Sequence, residues 1–324
     1  MLWAAVLSFA LAFAAIRVLL ARFGRFALDQ PNERSLHDRP VPRTGGVALL
    51  LGAASSLALG AAELWLPLAI GLALAALSFF DDLRGMPLAL RLAAHFAAAG
   101  GYAWYLLSPM HPAQLAVLIL AIVWITNLYN FMDGADGIAG GMALIGFGAY
   151  AAAAQAAAHG SLASACIALA AASGAFTLHN FHPAKLFLGD TGSIPLGFLA
   201  AALGLQGWRD DVWPLWFPVL VFGPFIGDAT VTLLKRLARR ERFWQAHREH
   251  YYQRMVRMGL GHRRTATIGY CAMLACAAAA LYGRAEPAAG QGAMFGAASA
   301  LLAVLALWVD VRWSRFVRST EKST

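Results

Sequence analysis

The sequence predicts an all-α polytopic membrane protein with about eleven transmembrane helices, and three observations carry that prediction. Of 324 residues, 60% are hydrophobic and only 13% charged, about half the charged share of a soluble domain. The apolar residues come in Ala-, Leu- and Gly-rich blocks, and about 20 such residues take a helix across a bilayer. No alternating apolar–polar pattern recurs, which argues against a membrane barrel.

The candidate helices run over 2–23, 45–63, 64–80, 86–107, 112–130, 138–158, 161–178, 194–207, 212–233, 265–283 and 291–311. The first lacks a small-residue cleavage site followed by a soluble domain, so it reads as an uncleaved span. The second follows a Gly45-Gly46 turn, and the third ends on Asp81 and Asp82. The fifth closes on Asn127 and Asn130, and the sixth opens after "MDGADG". The eighth is short and glycine-interrupted; without it the count is ten. The ninth carries Asp228, either a buried site residue or a helix-packing acid. A cytoplasmic loop with an interfacial helix is expected over about 234–264. With no repeat and no long linker, 1–324 form a single integral-membrane domain. Cys166, Cys271 and Cys276 lie in apolar blocks without metal-ligand spacing and read as packing residues.

Charge placement orients these helices. With the N-terminus outside, the inner segments hold 22 of the 25 Lys and Arg residues, as the positive-inside rule requires. The C-terminus is then cytoplasmic. The net charge of +8 belongs to membrane borders and anionic lipid, and a nucleic-acid partner is not expected.

This topology puts every unusual polar cluster at the cytoplasmic face. Asp81, Asp82, Asn127, Asn130, Asp133, Asp136 and Asp190 gather there, as do His247 and His250 of "HREHYYQRM". Alone, "NLYNFMDGADG" could be a polar helix boundary, with Asp133 capping the sixth helix. Five carboxylates sharing a partly dry cleft would repel one another. A hard divalent cation relieves that repulsion, and Mg²⁺ takes one or two carboxylates plus substrate phosphates. Soft metals are not expected, because neither Cys nor a paired-His motif joins the acids. "DRPVPRTGG" and "KLFLGDTGS" add Arg39, Arg43 and Lys185 beside glycine turns, although neither ends as a phosphate-binding Walker loop. On a helix, His247 and His250 would share a face and could meet one phosphate. The competing reading is an interfacial basic helix anchored by Trp244, Tyr251 and Tyr252. His95 reads as an interhelical histidine, while His37 could serve substrate or loop.

The motifs "SLHDRPVPRTGG", "FFDD", "NLYNFMDGADGIAGG", "PAKLFLGDTGS" and "HREHYYQR" occur in this order over roughly 35–255. In this they resemble the polyprenyl-phosphate N-acetylhexosamine-1-phosphate transferases, the superfamily that includes phospho-N-acetylmuramoyl-pentapeptide transferase. The resemblance implies transfer of a sugar phosphate from a UDP-N-acetylhexosamine to undecaprenyl phosphate at the bacterial inner membrane, with release of UMP. It implies Mg²⁺, with Mn²⁺ as a substitute. Asp190 matches the principal metal ligand; Asp81 and Asp82 match an acidic pair that meets metal or lipid phosphate. Asn130, Asp133 and Asp136 match the nucleotide-side loop, with Asn127 a further candidate for substrate binding, and Asn180 and Phe187 match the uracil positions. Lys185 belongs to the same loop as Phe187, and Arg43 falls where a basic residue meets phosphate. His247 and His250 align with the diphosphate-binding histidine motif, and Arg248 between them is a further candidate substrate-binding residue. Membrane lipids are expected neighbours, and a homodimer is the assembly to test. "HREH" in place of adjacent histidines, and "PVPRTGG" in place of a TPTMGG-like segment, favour the smaller-sugar branch over the pentapeptide enzyme. A CDP-alcohol phosphotransferase would need an arginine where Gly140 stands, and a transporter would place its acids near the bilayer midplane.

Overall fold

The computed structural model describes residues 1–24, 26–31, 35–58, 60–242, 245 and 247–321. Every apolar block is helical: α1 (Leu2–Phe23), α2 (Gly45–Ala58), α3 (Trp65–Arg84), α4 (Leu88–Leu107), α5 (Pro112–Phe131), α6 (Ile138–Ala156), α7 (Gly160–Asn180), α8 (Asp190–Arg209), α9 (Trp216–Val221), α10 (Gly223–Ala238), α11 (Tyr251–Met255), α12 (Gly261–Gly283) and α13 (Ala288–Glu321). Among the described residues, seven helical stretches are long and apolar enough to cross a membrane. They contain α1, α3, α5, α6, α7, α12 and α13. Helices α2 and α10 are shorter, at 14 and 16 residues, while α4 and α8 carry Arg91 and Asp190 within their length. The protein is a multi-pass membrane protein, as its long apolar helices require.

Two local features depart from the sequence expectation. The ninth block divides into α9 and α10 at Phe222, because Pro224 lies in the first turn of α10 and lacks the N–H that a continuous helix would use. The loop before α11 is irregular where described: α10 stops at Ala238, and His247 to His250 precede the five-residue α11. His247 and His250 therefore do not ride on one helix. Trp244, the expected anchor, lies outside the described residues.

Helix α8 forms the centre. Every residue from Thr191 to Leu205 is buried, against α2, α3, α4, α5, α6 and α9. Small residues let α6, which touches α8, pack closely on α7, and α1 and α2 cover α7. The outer helices keep apolar side chains exposed, among them Val117 and Leu120 on α5 and Val304 and Leu307 on α13. Such a surface is stable only against lipid or another apolar partner. At one end of the bundle, a two-residue antiparallel pair joins β1 (Leu28–Asp29) to β2 (Val41–Pro42), with Leu28 opposite Pro42. It carries Asp29 and Arg43 to the end where α3, α5 and α7 finish and α8 begins.

Candidate active site

The start of α8 fixes the site. Gly189 adopts φ of 70°, in the left-handed region, and a Cβ there would come within 3.0 Å of the Arg43 carbonyl oxygen. Glycine is therefore needed for the sharp entry that presents Asp190 as the first helical residue. Arg91, on the first turn of α4, spans the acids: its Nη2 donates to Asp190 Oδ2 at 3.1 Å, and its Nε lies 3.1 Å from Asp81 Oδ2. Arg43 stands between two further carboxylates, with Nη1 3.6 Å from Asp82 and Nε 3.8 Å from Asp29. The Met86 N–H donates to Asp81 at 2.6 Å, and Thr191 Oγ1 donates to Asp82 at 3.3 Å. Asp81, Asp82 and Asp190, predicted from scattered motifs, thus share one charged network.

A cavity of about 290 Å³ opens beside it. Asp29, His37, Arg43, Asn130, Asp133, Asp136, Asn180, Phe187, Asp190 and His262 form its walls. Asn130 accepts from Ser193 Oγ at 2.7 Å, which ties the end of α5 to α8. Desolvation first, then the carboxylates of Asp190 and Asp29, push the Asp133 pKa well above the usual carboxylate range. The His37 ring meets the Phe187 ring edge-on at 4.8 Å between centroids. Asn180 clamps two loops: its Oδ1 accepts from the Gly137 N–H at 2.8 Å and its Nδ2 donates to the Leu186 carbonyl at 2.9 Å.

Not every predicted residue reaches this cavity. Asn127 donates back to the Val123 carbonyl at 2.7 Å, within α5. Lys185 is exposed, and its backbone N–H donates to the His179 carbonyl. Neither forms part of the cavity wall.

The donor set suits a hard cation better than a soft one. Asp81, Asp82, Asp133 and Asp190 offer only oxygen, as Mg²⁺ prefers. Arg43, in the cavity wall, and Arg91 bring two guanidinium groups to the same carboxylates, a pairing of charges that also suits anionic oxygens. Asp190 and Asp82 would hold such an ion together with substrate phosphate.

The sequence holds no paired-His motif beside the acids, yet the fold brings two histidines to Asp136. Asp136 Oδ2 accepts from His182 Nδ1 at 2.6 Å and from the Ala184 N–H at 3.2 Å. His262 Nδ1 lies 3.5 Å from Asp136 Oδ1 and accepts from the Asp136 N–H at 3.2 Å. The three side chains lie close enough to hold a metal ion. The chain separates them by tens of residues, so no motif spacing exposes them. Their hydrogen bonds hold the Asp136 loop against α7 and α12.

The profile of "Glycosyl transferase family 4" matches residues 64–208, which run from the start of α3 to the end of α8. A decaprenyl-phosphate N-acetylglucosaminephosphotransferase of Mycobacterium tuberculosis is 30% identical over 304 residues, covering 79% of this chain and 74% of that protein. The chain belongs to glycosyl transferase family 4. A second relative, the probable undecaprenyl-phosphate N-acetylglucosaminyl 1-phosphate transferase of Bacillus subtilis, is 29% identical over 263 residues, or 75% of this chain and 74% of that protein. The phospho-N-acetylmuramoyl-pentapeptide-transferase of Geobacillus thermodenitrificans matches at 42%, over only 89 residues and 28% of each chain.

In this family 4 transferase the histidine segment stands beside the cavity rather than in its wall. His247 and His250 rings lie 4.9 Å apart. Asp228 gathers the segment: it accepts from the Tyr251 and Tyr252 N–H groups at 2.9 and 3.0 Å, and His250 Nδ1 is 3.2 Å away. Asp228 thus anchors the start of α11. Tyr252 links this anchor to the site, its hydroxyl donating to the Phe131 carbonyl at 3.0 Å, one residue past Asn130. Arg248 accepts at its carbonyl from Arg257 and does not reach the cavity. Sequence reasoning missed Asp29, Arg91, His182 and His262; none lies inside a quoted motif, although His182 directly precedes "PAKLFLGDTGS".

Proposed function

We propose that this protein transfers an N-acetylhexosamine 1-phosphate from a UDP-sugar to undecaprenyl phosphate, releasing UMP and starting a lipid-linked envelope polysaccharide. One observation carries the reading: Arg91 and Arg43 draw Asp81, Asp82 and Asp190 into one network beside a cavity walled by Phe187. UDP-N-acetylglucosamine is the first donor to test, because the relatives that align along most of the chain are named for N-acetylglucosamine phosphate transfer. The pentapeptide enzymes align with one short segment, and "HREH" lacks their adjacent histidines.

Asp190, with Asp82 beside it, would hold Mg²⁺ or Mn²⁺, which neutralises charge on a diphosphate. The rest of the chemistry belongs to the chain. Arg43 and Arg91 place two cations beside the cavity and would meet phosphate oxygens there, lowering the barrier to the approach of two anions. Phe187 offers a ring face to the uracil, and Asn180 fixes the two loops that frame it. An acceptor phosphate oxygen bonds to the β-phosphorus as the bond to the UMP oxygen breaks. No general base is needed, since a phosphate monoester is already ionised near neutral pH. Direct displacement is favoured over an aspartyl intermediate. Exclusion of water by the closely packed start of α8 protects the sugar phosphate.

The test is purified protein with undecaprenyl phosphate, Mg²⁺ and a panel of UDP-sugars, scored by UMP release. Release that requires lipid and metal supports the proposal. No release with any donor overturns it.

A further inference from the structure

We propose that a groove between α12 and α13, separate from the cavity described above, binds the headgroup of an anionic phospholipid. Leu260, Arg263, Arg264, Ile268, Trp308 and Arg312 form it. Three other arginines at this end of the bundle are already neutralised. Arg254 pairs with Asp310, and Arg236 and Arg239 pair with Glu241 and Glu249. In contrast, Arg263, Arg264 and Arg312 are exposed, and no carboxylate lies in ion-pair range of them among the described residues. Three cations converge on one groove without an anion, an arrangement that a phosphodiester would relieve.

Depth and floor select a lipid over a free phosphate. Trp308 and Arg312 lie 20 and 24 residues beyond the start of α13 at Ala288, or about 30 and 36 Å along a helix. A hydrocarbon core is about 30 Å thick, so these side chains sit at headgroup level. Arg263 and Arg264 occupy the first turn of α12, at the same end of the bundle as the active site. Trp308 carries the Arg312 guanidinium over its ring at 4.9 Å, an arrangement common at membrane interfaces. Leu260 and Ile268 make the floor apolar, and the exposed Val304 and Leu307 continue along α13 toward the bilayer. Acyl chains can lie there while the phosphate meets the arginines.

The test is native mass spectrometry of the full-length protein from micelles supplied with equal phosphatidylglycerol and phosphatidylethanolamine. Wild type should retain phosphatidylglycerol at least fivefold over phosphatidylethanolamine. In R263Q/R264Q/R312Q the preference should fall to parity, whereas R315Q/R318Q, which removes two arginines outside the groove, should keep it. An equal loss in both variants would show diffuse charge and overturn the site. Displacement of the lipid by millimolar inorganic phosphate would show a free-anion site and overturn the lipid assignment. A change from dimer to monomer in the groove variant alone, with lipid retention unchanged, would make the face an interface between copies and equally overturn it. Should the triple variant fail to fold, R312Q alone carries the test, with an expected twofold or greater loss of preference.

Discussion

Arg91 is the residue on which the acidic network depends, because among the described residues it alone forms ion pairs with both Asp81 and Asp190. Arg91→Gln should lower kcat/KM for UMP release by about tenfold to a hundredfold, while Arg91→Lys should recover part of it, since an ammonium cannot span both carboxylates as a guanidinium does. Equal activity in the glutamine variant would refute that role. Asp190→Asn should cost about a hundredfold or more in turnover, on the scale of removing one preorganised charge from a dry site, with the protein still inserted and folded. His247 gives a pH prediction. Burial first, then His250 and Arg236, push its pKa down to about 4, so the folded ring stays neutral at pH 7. Unfolded, it takes a proton near pH 6.5. Its contribution to stability is therefore intact above pH 6.5 and is lost as pH falls toward 4. A His247→Gln variant should flatten the decline in melting temperature across that window. The acids of this site were legible because a carboxylate in an apolar chain is an exception that demands a reason. Arg91 and His262 were not, because each resembles any cation or histidine at a helix start, and their partners come from distant segments.

At the scale of elements, α11 and the two loops around the cavity are held by single polar side chains. Asp228 satisfies two N–H groups at the start of α11 and sits beside His250. Asp228→Ala leaves those donors unpaired, at about 1–3 kcal/mol for each buried group. The melting temperature in detergent should drop by several degrees, together with activity. A purely catalytic Asp228 would instead lose activity with the melting temperature unchanged, and that result would reverse the assignment. Asn180→Ala should behave in the same way, because Gly137, at φ of 81°, and Leu186 each lose a partner. The helices themselves were readable from hydropathy, since lipid imposes length and apolarity on every span. The division at Phe222 was readable only from Pro224, and the hydropathy pattern runs straight across it. The irregular path to His250 was hidden, because periodicity describes helices and says nothing of a segment drawn out of line by a carboxylate on another helix.

For the whole molecule, the site's position at one end of α8 turns orientation into a measurable consequence of the fold. Asp190 opens that helix and Arg209 closes it, 19 residues later, a span of about 28 Å that matches the hydrocarbon thickness of one bilayer. The two residues should therefore face opposite compartments. The bias of Lys and Arg toward the loops at the Asp190 end predicts that this end faces the cytoplasm, where a nucleotide sugar would be met. In a Cys271→Ser background, whose remaining native cysteines, Cys166 and Cys276, are buried, Arg209→Cys and Arg318→Cys provide exposed reporters at the two ends. A membrane-impermeant maleimide applied to intact cells should label Arg209→Cys and leave Arg318→Cys unlabelled until the membrane is opened. The opposite pattern would turn the carboxylate network outward, away from any cytosolic donor, and the proposed reaction would lose its substrate supply.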